Sequence, residues 1–354
     1  MDVNQLVNNI NFVTKIVANS NVNIEVKKGK CTISSEDGKS SCSRTFKCSE
    51  GDMKFCIDTP VLLGILGNSK EIELKQKNSG IEFKCGRKSG VLTTLSYKPI
   101  EILGEKTKVD FNFTEDLKNK FLEVLPKVLL KPAPYLPYED SLLNIMIKSD
   151  GKNIYLLTTD DLHSIYYSES FKGPKFNLEL PLNYANIILG MDSSFEMSTD
   201  INSIYLISNT TKIKLQQLAV KKLVTLDDFI SGFVNNILGD KVKKVNVDDF
   251  IDSVDSSYAV KTNNTDVILN IKKSKMYSSC ESDLGSIKSP IMTVDSKFKD
   301  FSGILNYDVF MDVIRFFKKD VDIYLDTSRM TIVKKTSDKK DTCSLGIVCF
   351  AAKN

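Results

Sequence analysis

Residues 154–166 read IYLLTTDDLHSIY. An apolar run, Ile154-Tyr155-Leu156-Leu157, gives way to two threonines and two aspartates, and then to His163, the only histidine in the chain. A histidine beside Asp160 and a serine can be drawn as a hydrolytic triad, but one such match carries little weight. No G-x-S-x-G turn accompanies it, and the chain has neither a G-x-x-x-x-G-K-S/T nor a G-x-G-x-x-G phosphate loop. One histidine and scattered cysteines make a poor metal set, so neither catalysis nor a metal or cofactor is expected. The stretch takes its meaning from its place in a chain whose pattern occurs three times.

The 354 residues imply two or three domains, and 42% hydrophobic residues are ample for packed cores. No run of eighteen apolar residues is present, so no membrane span is expected. The opening MDVNQLVNNINFV lacks a basic leader and reads as an amphipathic helix, which points to a cytoplasmic protein. The eight cysteines (31, 42, 48, 56, 85, 280, 343 and 349) form no C-x-x-C pair and read as reduced thiols on strands. With 48 basic against 45 acidic residues the net charge is +3, which neither demands nor excludes a nucleic-acid partner.

Repetition appears first in the helical patterns. Apolar residues at Leu6, Ile10, Val13 and Val17 line one helix face, and the same step recurs at Leu117, Phe121, Val124 and Val128. It recurs again at Val247, Ile251, Val254 and Tyr258. Alternating, β-branched segments follow each: VNIEV, KCTISS and SRTFKC, then LLNIMIK, NIYLLTT and SIYYSES, then VILNIKK and SKMYSSC. A second helix comes next in IDTPVLLGILG, LPLNYANIILG and LNYDVFMDVIRFF, then further strands ending in GVLTTL, KIKLQQL and LGIVCF. The reading is α+β, with three tandem domains of two helices and antiparallel sheets each, at 1–106, 107–224 and 225–354.

Local motifs in each third add a resemblance. CGRKSGVLTTL (85–95) resembles S-G-R-x-x-x-x-L-x-T-L, and SLLNIMIK (141–148) resembles an L-N-G-x-L/M strand. TTDDLHSI (158–165) is similar to A-T-D-G-H-R-L with one residue inserted and Ser164 in place of Arg; LNYDVFMDVI (305–314) is similar to F-N-x-x-Y-L-x-D-x-L. These belong to the bacterial-type DNA sliding clamp, the β subunit of DNA polymerase III, and its phage counterparts. The resemblance covers essentially the whole chain.

That resemblance implies a DNA-clamp fold and a processivity factor. Two protomers would join head to tail in a ring around double-stranded DNA, in a bacterial or host cytoplasm. Its partners would be a clamp loader, a replicative DNA polymerase and a second copy of the chain, with no membrane and no catalysis. The DNA-facing candidates are Lys15, Lys118, Lys120, Lys127, Arg315, Lys318 and Lys319. A partner-peptide pocket between the second and third domains would use Leu143, Thr159, His163, Ile165, Asn306, Val309, Val348, Cys349 and Phe350. Asp227 and Gly232, in a connector that departs from F-P-D-Y-R-x-V, remove apolar wall and would alter the peptide preference. Leu92, Ala259 and Val260 match protomer-contact positions, while Gly90 stands where an aromatic residue is frequent. The acidic face Asp248, Asp249, Asp252 and Asp255 is awkward for DNA lining. It keeps open an alternative, a clamp-fold scaffold that binds proteins without encircling DNA.

Overall fold

The computed structural model describes residues 1–17, 19–77, 80–100, 102, 111–125, 128, 144–159, 163–181, 187–188, 190–191, 194–200, 203–216, 225–263, 266–335 and 343–351. The first third carries α1 (Val3–Ile16), β1 (Asn21–Lys27), β2 (Lys30–Glu36), β3 (Ser40–Lys47), β4 (Met53–Asp58), α2 (Thr59–Leu66), β5 (Glu73–Lys77), β6 (Gly80–Cys85) and β7 (Lys88–Leu92). The middle third has β8 (Phe111–Phe113), α3 (Glu115–Val124), β9 (Asn144–Ser149), β10 (Asn153–Thr159), β11 (His163–Ser170) and β12 (Phe176–Pro181). Helical residues 187, 188 and 190 precede β13 (Phe195–Thr199), β14 (Ser203–Ile207) and β15 (Thr211–Gln216) there. The last third opens with a short helical turn, α4 (Leu226–Phe229), continued as a π turn over Ile230–Val234. There follow β16 (Asp240–Asn246), α5 (Val247–Tyr258), β17 (Val267–Lys272), β18 (Lys275–Ser282), β19 (Gly285–Thr293) and β20 (Phe301–Leu305). Helix α6 (Tyr307–Ile314), β21 (Asp320–Leu325), β22 (Arg329–Lys335) and β23 (Cys343–Cys349) complete it.

The order helix, four strands, helix, three strands thus recurs, for local reasons. Asp2, Asp58, Asn246 and Asn306 each stand at a helix start and accept a hydrogen bond from a backbone N–H of the first turn. Two-residue hairpins join β1 to β2 through Lys28-Gly29 and β17 to β18 through Lys273-Ser274. All four residues have positive φ, the geometry whose twist matches the flanking strands.

Contacts gather the chain into two compact units, residues 1–119 with 186–219, and 120–185 with 220–354. The first holds an eight-stranded antiparallel sheet, β4-β1-β2-β3-β15-β14-β13-β8, and a three-stranded sheet, β5-β6-β7. The second holds β12-β9-β10-β11-β23-β22-β21-β16 and a four-stranded sheet, β19-β18-β17-β20. Each large sheet is therefore two half-sheets from different thirds of the chain, welded at one pair of strands. At the first weld Ser40 lies opposite Leu215 and Arg44 opposite Thr211. At the second, His163 lies opposite Val348 and Tyr167 opposite Ser344. Both welds span five residue pairs in the same sense.

Helix α1 lies against β2 and β3 of the first large sheet, and α6 against β11 and β23 of the second. Gly346 allows the closest approach: a Cβ there would lie 2.4 Å from a Val313 methyl and 2.9 Å from the Phe317 ring. Leu6, Ile10 and Val13 of α1 with Val17 just beyond it, and Leu117, Phe121, Val124 and Val128, are buried as their spacing requires. The third stripe needs correction. Val247 and Val254 are buried, but their apolar companion is Phe250, whereas Ile251 and Tyr258 are half-exposed. Two serines share the buried face. The Ser253 and Ser257 hydroxyls each lie 2.7 Å from the Ser278 hydroxyl, and Ser253 also donates to the Ser289 carbonyl at 2.9 Å. A buried network whose members are paired fixes the helix on the sheet without leaving an orphaned polar group.

None of the eight cysteines is in a disulfide. Burial pushes the Cys31 and Cys42 thiols up to about 12, so both stay protonated. Among the described residues no helix is long and apolar enough to cross a membrane.

Phe250 packs on Phe310 with ring centroids 4.8 Å apart. Phe250→Ala is expected to cost about 3–5 kcal/mol and Ile251→Ala far less. Urea unfolding followed by far-UV circular dichroism checks the difference, and equal losses would restore the stripe through Ile251.

Candidate nucleic-acid and protein interfaces

The second weld carries most of the candidate pocket, and strand alternation divides those residues between two faces. Residues opposite one another in an antiparallel pair share a face. Thr159 with Ser164, and Leu157 with Tyr166 and Leu345, therefore lie on one side, with Ile347 and Cys349. His163 with Val348, and Ile165 with Gly346, lie on the other, towards α6. His163 is 1% exposed, and Ile165, Val348 and Val309 are buried. Asn306 caps α6 through the Val309 N–H. Phe350 lies against Phe301, centroids 5.3 Å apart, and its ring closely approaches Gly303. Leu143 lies outside the described residues.

The face bearing Thr159 has an apolar cover that the sequence reading missed. Met146, Leu157, Tyr166, Leu345 and Ile347 pack with Leu226 and Phe229 of α4 and with Ile230, Phe233, Val234 and Ile237 beyond it. Tyr166, Phe229 and Phe233 form a ladder, with centroid separations of 6.1 and 5.0 Å, and the Arg329 guanidinium sits 4.7 Å above Phe233. A cation over an aromatic face is attracted by the ring quadrupole. The signal lay in the period of Leu226, Phe229, Phe233 and Ile237. Asp227 turns outward to Lys148, Nζ to Oδ1 2.6 Å, and a Cβ on Gly232 would meet open space.

The basic candidates separate by what they already touch. The Lys118 ammonium donates to the Met191 carbonyl, and Lys120 pairs with Glu169 and with Glu123. Lys15, Arg315, Lys318 and Lys319 are exposed on or just beyond helix ends. Lys127 lies outside the described residues.

Between α5 and α6, Tyr258 and Tyr307 stack with centroids 3.7 Å apart, and Lys261 lies 5.4 Å from the Tyr258 ring. The Tyr307 hydroxyl donates to Asp255 at 2.7 Å, so one of the four helix aspartates is engaged within the chain. Asp248, Asp249, Asp252 and Asp255 are all exposed. Of the protomer-contact candidates, Leu92 is buried at the end of β7, Ala259 is exposed and Val260 half-buried. The Val260 carbonyl accepts from the Ser282 hydroxyl at 2.6 Å.

The hydrogen bond to Asp255, with burial adding to it, raises the Tyr307 phenol to about 12. A phenol held above its ordinary value near 10 favours the folded state below that pH, and the contribution is lost as pH rises through the folded value. Ultraviolet titration should find Tyr307 protonated at pH 11, and Asp255→Asn should bring its ionisation down. An unchanged titration in the variant would exclude Asp255 as the cause.

No family model and no curated protein matches the sequence. Solved structures do match along the full length. The DNA polymerase III β subunit of Thermotoga maritima superposes with a TM-score of 0.78 at 16% identity, over 100% of this chain and 99% of that one. The β chain from Streptococcus pneumoniae gives 0.77 at 14%, covering 99% and 98%. A sliding clamp of Pseudomonas aeruginosa, crystallised with griselimycin, gives 0.76 at 12%, covering 100% and 98%. The chain therefore has, from end to end, the fold of the DNA polymerase III β sliding clamps.

Proposed function

We propose that the chain is a DNA sliding clamp, a processivity factor that closes as a head-to-tail dimer around duplex DNA and tethers a replicative polymerase. One observation carries the reading. Both large sheets are welded half-sheets, and two further half-sheets, β19-β18-β17-β20 and β5-β6-β7, keep β19 and β7 as open edges among the described residues. Unpaired edges invite pairing, and a head-to-tail contact repeated twice would pair these two edges and close a ring. Three domains at 1–106, 107–224 and 225–354 per protomer would give a six-domain collar. The end-to-end fold similarity to the β clamps supports this reading over a catalytic one.

Within such a collar, exposed cations on the helix layer would meet phosphate without reading bases. Lys15, Arg315, Lys318 and Lys319 suit that task. Lys118 and Lys120 are held by Met191 and Glu169 and suit it poorly. The partner peptide would dock on the second large sheet, near Thr159, Cys349 and the Phe229–Phe233 cover, in a soluble, membrane-free setting.

The first test is solution mass by light scattering over a concentration series, expected near twice the 39.7 kDa chain. Protein equilibrated with nicked circular plasmid should then stay bound through a high-salt column and run off once the circle is linearised. Equal loss from both forms overturns encirclement and leaves a protein-binding scaffold. On short duplexes, Arg315→Ala or Lys319→Ala should flatten the dependence of log K on log salt by about 0.9 for each phosphate no longer neutralised. Lys118→Ala and Lys120→Ala should leave it unchanged.

A further inference from the structure

We propose that a row of lysines on the first large sheet, Lys27, Lys30 and Lys47, binds the phosphate backbone of duplex DNA that lies outside the collar. This rests on the sliding-clamp reading, which turns the helices towards the hole and leaves these lysines on the other side.

Strand register sets the row. β1, β2 and β3 are neighbours in the sheet, and Lys27 lies opposite Lys30, which lies opposite Lys47. Neighbouring strands run about 4.8 Å apart, so the three side chains start from one line across the sheet. That line faces away from α1. Arg44 of β3 lies over Phe12 of α1, and alternation turns Thr45 and Lys47 to the opposite side. The Thr32 and Thr45 hydroxyls, 2.9 Å apart, stand beside the row on the same face. All three lysines are exposed, and Lys28, at the turn between β1 and β2, adds a fourth exposed ammonium.

Like charges directly opposite one another weaken a sheet, and lysine is not favoured in strands. Among the described residues no ion pair offsets this for Lys27, Lys28, Lys30 or Lys47. Two carboxylates are close. Glu25 accepts from the Tyr97 hydroxyl at 3.0 Å, and Asp52 from the Lys28 backbone N–H at 2.9 Å. Two negative charges against four ammonium groups leave the row cationic. The pattern also recurs. The equivalent hairpin of the last third, β17 to β18, closes on Lys272 opposite Lys275, with Lys273 at the turn. KKGK at 27–30 and KKSK at 272–275 keep the same three charges around each turn. Lys275 borders a cleft with Asp249 and Asp252, whose carboxylates offset it, so the first row is the stronger site. A cost met twice at one place in the repeat points to a use for the charge.

The chemistry of the row selects its ligand. A phosphate backbone is bound by cations alone, without any reading of bases. A partner protein takes most of its energy from buried apolar anchors, and the stretch KKGK with Lys47 beside it offers none. A single strand calls for rings on which its bases stack. The nearby ring, Tyr97, is tied by its hydroxyl to Glu25 and has the Lys54 ammonium 5.8 Å from its centroid. Duplex DNA, with one charge per roughly 1.7 Å of axis, is the dense anion that suits a bare row of cations. Such a surface holds the protein on DNA that has not entered the hole.

A short duplex with streptavidin on both ends tests the surface, because a preformed ring cannot thread it. Fluorescence anisotropy read within seconds of mixing should show binding that weakens with salt. The triple variant Lys27→Gln, Lys30→Gln, Lys47→Gln should flatten the slope of log K on log salt by about 2.7, or 0.9 for each phosphate no longer neutralised. The matching triple change to Arg should keep the slope, with circular dichroism unchanged in both variants. An unchanged slope in the Gln variant overturns the surface. A slope that falls only with Arg315→Ala or Lys319→Ala assigns the binding to the helix layer and overturns it too. Poly-glutamate that displaces the capped duplex as well as free DNA of equal charge assigns the row to an acidic protein, which also overturns it. The two readings fail separately. The Gln variant should still be retained on nicked circles at high salt. A protein never retained there loses the collar, yet keeps the row if the slope falls as stated.

Discussion

Main-chain pairing across the two welds is the constraint on which this architecture rests. A half-sheet of three or four strands ends in a row of unpaired N–H and C=O groups, and such an edge is stable only when covered or paired. Here β3 accepts β15, and β11 accepts β23, each over five residue pairs. The consequence is that compact units do not coincide with sequence repeats: each unit combines half-sheets of neighbouring thirds. Among the described residues, β7 and β19 keep an edge of the same kind unpaired.

The helix layer depends on the welds through close packing. Gly346 lies in a weld strand and lets Val313 and Phe317 come down onto the sheet. On α5 the buried face is part polar, with Ser253 and Ser257 bonded to Ser278 rather than packed as hydrocarbon. A satisfied hydroxyl network costs little and is directional, so it locates a helix more narrowly than an apolar stripe alone. The opposite face of α5 is left to carry aspartates, one of them tied to Tyr307.

Much of the organisation is legible in the sequence. Three amphipathic helices, period-two strands and cap residues recur in order because each is set by neighbours a few positions away. The stripe of α5 reads one position out of place, with Ile251 standing for Phe250, because serines on a buried face imitate an exposed one. The pocket candidates read as one cluster, yet alternation alone separates Thr159 from His163 and Ile165. Lys118 looks free in sequence because its partner, Met191, is far along the chain, and Lys120 joins Glu169, likewise remote, as well as Glu123 on the next turn.

The sequence by itself determined the element types, their threefold order and the chemistry on offer, since these follow from local periodicity, backbone preference and charge. Only the tertiary structure decided which half-sheet joins which, that a connector aromatic ladder covers the second large sheet, and which lysines remain exposed. Those outcomes turn on pairings between residues tens to hundreds of positions apart. Hydrogen-bond satisfaction and packing select them, and neither leaves a periodic mark on the chain.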